Sequence, residues 1–133
     1  MRLNQSLRIQ PKQFAEEDSV GQAAYFEILK KLDTYKSYAK GWDGEDASPL
    51  TEKVISNFNL ILDRIDKRLL VGLTIYPETN GTLLIDSTKH EAALSLGEKT
   101  FSCYEIANDD IIGEDSHPFT AEAVIDVISR ISR

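Results

Sequence analysis

Between Asp18 and Ala39 the apolar residues Val20, Ala24, Ile28, Leu32, Tyr35 and Ala39 recur at steps of three or four, the spacing of one helix face. Asp18 or Ser19 is placed to cap this helix and Gly41 to end it. A second stripe, Val54, Phe58, Ile61, Leu62, Ile65 and Leu69, predicts another helix, started by Ser48 as N-cap with Pro49 at its first position. The residues before the first helix, 1–16, hold only Leu3, Leu7, Ile9 and Phe14 as sizeable apolar groups and read as an extended arm.

Beyond Leu69 the period changes from helical to alternating. Thr79-Asn80-Gly81 fits a three-residue hairpin loop with Gly81 in the left-handed position, which sets Ile75 opposite Ile85 and Leu73 opposite Ser87. A four-residue loop at Ser87–His90 then sets Ile85 opposite Ala92 and Leu83 opposite Leu94. A tight turn at Gly97-Glu98 sets Leu94 opposite Phe101 and Ala92 opposite Cys103. These loops gather Leu73, Ile75, Leu83, Ile85, Ala92, Leu94, Leu96, Phe101 and Cys103 on one face, whereas a one-residue slip would scatter them. Residues 107–118 are expected to be an acidic linker, followed by a helix capped by Thr120, with Phe119 and Val124 at staple spacing and Val124, Val127, Ile128 and Ile131 facing inward. The predicted architecture is α+β: two N-terminal helices, a four-stranded antiparallel β-meander and a C-terminal helix, with helices covering one sheet face. Residues 17–133 form one domain, a size able to bury a core without cross-links.

Charge changes this picture in the second half. The first 70 residues balance their Lys and Arg against Asp and Glu, so the whole net charge of −7 falls in residues 71–133. Between Lys99 and Arg130 there is no basic residue, while Glu105, Asp109, Asp110, Glu114, Asp115, Glu122 and Asp126 are all acidic. Phosphate backbones require Lys and Arg, so a nucleic-acid surface here is disfavoured. The same stretch suits a basic protein partner, with Asp109, Asp110, Glu114 and Asp115 as the expected contact residues. Met1–Gln13 lacks the apolar stretch of a signal peptide and no run reaches the length of a membrane span, so the cytoplasm is the expected compartment and no membrane association is expected.

Catalytic signatures are sparse. One cysteine, Cys103, excludes a multi-thiolate zinc site, and its expected inward position separates it from His90 in the preceding loop. There is no Gly-x-Ser-x-Gly, no His-Glu-x-x-His and no phosphate-cradling Gly-Lys-Thr, and no cofactor is implied. The paired carboxylates Asp109-Asp110 and Glu114-Asp115 could act as acid and base only in a pocket that perturbs them, and a charge run is more often a solvated face. The most distinctive segment is Gly41-Trp42-Asp43-Gly44-Glu45-Asp46, with Pro49 close behind. As a turn, its glycines would supply positive φ, Asp43 would bond turn amides and Trp42 would plug the core. As a site, Asp43, Glu45 and Asp46 would offer oxygens to a divalent cation, as in a small metal-dependent hydrolase, although the spacing is not that of an EF-hand.

The segment Gly41-Trp42-Asp43-Gly44-x-x-Ala47-x-Pro49, then an amphipathic helix, a strand and Asn80-Gly81 within a hairpin, resembles a group of small bacterial proteins that join a Gly-Trp-Asp-Gly segment to a β-meander. The likeness runs from Gly41 to Glu105, about half the chain. It implies a bacterial or phage origin and an accessory role, and it brings no catalytic residue. Three function classes follow: a non-catalytic protein of the immunity or antitoxin kind that binds a basic protein, a metal-dependent hydrolase centred on the loop, and a structural subunit that self-associates through its arm or sheet edge.

Overall fold

The computed structural model describes residues 11–44, 47–107 and 110–132; of residues 11–18, 106–107, 110–112 and 114–115 it describes the backbone alone. Helix α1 spans Pro11–Lys36 and α2 spans Glu52–Arg64; a 3-10 turn, Lys67–Leu70, leads into the sheet. Five strands follow, β1 Leu73–Pro77, β2 Leu83–Ser87, β3 Ala92–Leu96, β4 Thr100–Ala107 and β5 Asp110–Pro118, before α3 at Ala121–Ile131. The strands lie in chain order as one antiparallel meander, so the class is α+β, with three helices and five strands among the described residues.

Several boundaries differ from the sequence expectation. Helix α1 begins at Pro11, so residues 11–16 are helical rather than extended, while residues 1–10 lie outside the described residues. Its inward stripe is shorter than expected: Ile28 and Leu32 are buried, whereas Val20 and Ala39 are exposed. The N-cap of α2 is Thr51, whose side chain accepts from the Val54 amide, and not Ser48 with Pro49. Ser48 instead donates its amide to the Thr79 carbonyl at 2.7 Å, which commits that stretch to the β1–β2 turn. Helix α2 also stops short of Leu69, because Ile65 and Asp66 turn extended and the Asp66 carboxylate caps the 3-10 turn through the Arg68 amide at 3.0 Å.

The acidic linker expected at 107–118 is a strand, β5, paired with β4 from Thr100↔Pro118 to Ala107↔Asp110. The first hairpin register is as expected, Ile75↔Ile85 and Leu73↔Ser87, with Gly81 at φ +90. The next two registers slip by two residues, to Ile85↔Leu94 and Leu94↔Cys103. A slip of two keeps every side chain on its own face. Ile75, Leu83, Ile85, Leu94, Leu96 and Phe101 are therefore still buried together, against Val54, Phe58, Ile61 and Leu62 of α2 and Val124 and Ile128 of α3. On the other side of the strands Ser95 and Ser102 are half-buried and Tyr76 is exposed, as the alternation requires.

Buried polar groups set the two slipped loops. Asn57, on α2 and only 3% exposed, donates its amide to the Gly97 and Glu98 carbonyls at 3.1 and 2.9 Å. That holds a four-residue turn at Gly97–Thr100, closed by Gly97 N–H to Thr100 O, in place of a two-residue one. The Ser87 hydroxyl, also buried, donates to the Ile131 carbonyl at 2.8 Å, so Ser87 stays in β2 and the loop begins at Thr88. In both cases the register follows the bond that the buried donor makes: the turn at Gly97 lengthens, and the β2–β3 loop keeps four residues but moves on by one.

Candidate functional site

The Gly-Trp-Asp-Gly loop is built as a clasp on the first hairpin. Gly41 N–H donates to Ala47 O at 2.7 Å, Gly44 N–H to Gly41 O and Ala47 N–H to Gly44 O, while Gly41 and Gly44 hold φ of +81 and +119. From there the chain crosses to the Thr79-Asn80-Gly81 turn: besides the Ser48 bond, Thr51 N–H donates to Gly81 O at 3.2 Å. A Cβ on Gly81 would stand 3.1 Å from Pro49 O, tighter than ordinary contact, so a side chain there would press the two segments apart by a few tenths of an ångström. The two short motifs singled out in the sequence thus meet as one structural unit. Asn80 completes it by accepting the Thr82 amide on its side-chain oxygen at 3.2 Å.

Trp42 does not plug the core. It is half-buried and outside the core cluster, with its indole N–H donating to Ser48 O at 2.8 Å and its ring 5.2 Å from that of Tyr38. The ring is held in place by the loop's own carbonyl, which is why it need not be swallowed by the core to be ordered. Asp43 is exposed, and Glu45 and Asp46 lie outside the described residues. Among the described residues no three His, Cys, Asp or Glu side chains converge as a metal site would require.

Other chemistry-bearing groups are dispersed. Cys103, half-buried, faces Leu94 across the sheet and packs toward the core, while His90 is exposed in the β2–β3 loop beside an open groove of about 340 Å³ lined by Lys89, Glu91, Glu105 and Arg130. His117, expected in a linker, is a strand residue whose ring lies 5.4 Å from Phe101. One polar cluster escaped the sequence reading: Glu78 accepts hydroxyl bonds from Thr82 at 2.8 Å and Ser95 at 2.5 Å, tying the first hairpin to β3. No imidazole takes part in these bonds, and the cluster serves as a tie between strands.

The acidic residues take on a definite geometry. β4 and β5 continue as a two-stranded arm past the end of β3, since β3 pairs β4 only as far as Ala92↔Glu105 while β4 and β5 go on through Ile106↔Ile111 to Ala107↔Asp110. Asp110, Glu114 and Asp115 are carried by β5, the outermost strand, and Asp109 falls outside the described residues. The opposite edge is closed. There α1 lies along β1, with Tyr35 Oη donating to Ile75 O at 3.0 Å and Lys31 Nζ to Thr74 Oγ1 at 2.9 Å. Burial, and after it the neighbouring Tyr38 and Tyr76, push the Tyr35 phenol up, which keeps the donor protonated.

No helix among the described residues is long and apolar enough to cross a membrane. No family model, no curated protein and no solved structure matches this chain.

Proposed function

We propose that this is a non-catalytic accessory protein, bacterial or phage in origin and working in the cytoplasm, that binds a basic partner protein in the manner of an immunity protein or antitoxin. The observation that carries the reading is the placement of the acidic stretch: it is ordered into a strand at the outer edge of the sheet rather than strung out as a linker. A linker of that charge would only keep the chain solvated, whereas a strand sets these residues at regular steps along the backbone. Fixed charge of one sign, with no Lys or Arg between Lys99 and Arg130, favours encounter with an opposite surface and repels copies of itself.

The test is capture from the native host with the chain as it is and with Asp109→Asn, Asp110→Asn, Glu114→Gln and Asp115→Asn combined. A basic protein retained by the native chain and lost by the neutralised one is expected. Equal retention by both would remove the acidic strand from the account.

A further inference from the structure

The bonding pattern of the sheet can be followed from one edge to the other. Tyr35 takes the Ile75 carbonyl on the outer side of β1, so Ile75 turns its backbone groups away from β2. Antiparallel pairs alternate between exchanging both hydrogen bonds and exchanging none. Ile75–Ile85 is then a non-bonded pair, Ile85–Leu94 bonded, Leu94–Cys103 non-bonded and Cys103–Glu114 bonded. Three turn bonds fall where this parity demands them: Thr88 N–H to Gly72 O, Glu78 N–H to Thr82 O and Gly97 N–H to Thr100 O. One step along β5 from Glu114, the pattern turns the N–H and C=O of Gly113 outward, and two steps further those of Ile111. Among the described residues no strand pairs with that side of β5.

We infer that the Ile111–Asp115 edge of β5 is an acceptor for an extended, Lys- or Arg-rich segment of the partner, which adds to the sheet as a sixth strand. The inference rests on the proposed binding of a basic protein and specifies how that protein is held. Charge selects the occupant. A second copy of β5 laid along this edge would bring acidic residues beside acidic residues, which like-charge cross-strand pairs disfavour, while a strand with cations at alternate positions can set them on the sheet face to which Asp110 and Glu114 both belong. The geometry limits its length. Ser116 at φ +60 and a register irregularity between Phe101 and Cys103 break the regular edge just beyond Asp115. The open run is short, and its main-chain bonds would supply affinity while the carboxylates supply selectivity.

An amidated octapeptide of alternating Lys and Val serves as the probe, beside a fully backbone-N-methylated peptide of the same sequence and charge. The measurement is amide hydrogen exchange of the whole chain. The parent peptide should slow exchange at Ile111 and Gly113 by about tenfold or more, since edge amides exchange with little protection until paired, and the N-methylated peptide should not. Equal effects of the two peptides, or no slowing at those amides with either, would overturn strand addition. Equal binding would leave the acidic-surface reading intact, and that reading is decided separately by the capture experiment with the neutralised chain.

Discussion

Gly81 shows how one residue can hold two motifs together. Its φ of +90 strains any side chain and a Cβ there would stand 3.1 Å from Pro49 O, so Gly81→Ala should cost about 1–2 kcal/mol from the backbone conformation, with a tight contact added to it. Chemical denaturation checks this, and the same substitution should loosen the loop from Gly41 to Pro49. Asp66 gives a prediction in pH. Bonds from the Arg68 side chain, then from the Arg68 amide, lower its carboxyl from the usual 3.8 to about 2. A group depressed on folding contributes stability above its unfolded value and loses it as pH falls through the folded one. The contribution of Asp66 should therefore be intact above about pH 4 and fade toward pH 2, and Asp66→Asn should flatten that part of the acid unfolding curve. The group is exposed, so solvent keeps the effect small. Asn57 carries more weight. Asn57→Ala would remove the buried donor that holds the half-buried Gly97 carbonyl and the Glu98 carbonyl beside it, and should cost about 1–2 kcal/mol.

At the scale of elements, the strands were legible where alternation met a turn signal, as at Ile75, Leu83 and Ile85 around Asn80-Gly81. The inward face survived a wrong guess at two loops, because a slip of two residues preserves it. What sequence could not show was the partner of a buried polar side chain: nothing in the letters around Asn57 says that it will reach 40 residues away to Gly97. β5 was missed for a different reason. Charge, Gly113 and Pro118 are linker signals, yet they also mark an edge strand, which faces water along one side and is blunted by such residues. The Gly-Trp-Asp-Gly loop was legible as a turn but not in its depth. Trp42 rests half-buried on Tyr38, so Trp42→Ala should cost about 2 kcal/mol rather than the ~3–5 of a large core residue. Its native fluorescence should lie between that of a buried and a hydrated indole. Full hydration would detach the loop from the hairpin that it clasps.

Over the whole molecule, the two edges of the sheet are treated differently. Helix α1 closes one edge through Tyr35 and Lys31, and the other ends in an acidic strand that projects past β3 on the β4–β5 arm. The net charge of −7 lies wholly in residues 71–133, which build the whole sheet and α3, and no Lys or Arg falls between Lys99 and Arg130 to offset the acidic residues of β5. On the function proposed above, the helices and the first hairpin would hold one charged edge for a partner. The most direct test is the association rate with the basic protein captured from the host, measured over a range of salt for the native chain and for the chain neutralised at Asp109, Asp110, Glu114 and Asp115. Steering by fixed charge predicts an on-rate at least about tenfold lower for the neutralised chain at low ionic strength. The gap should close as the screening length falls toward about 3 Å near 1 M salt, with the melting temperature little changed. Equal on-rates with equal salt dependence would contradict the account.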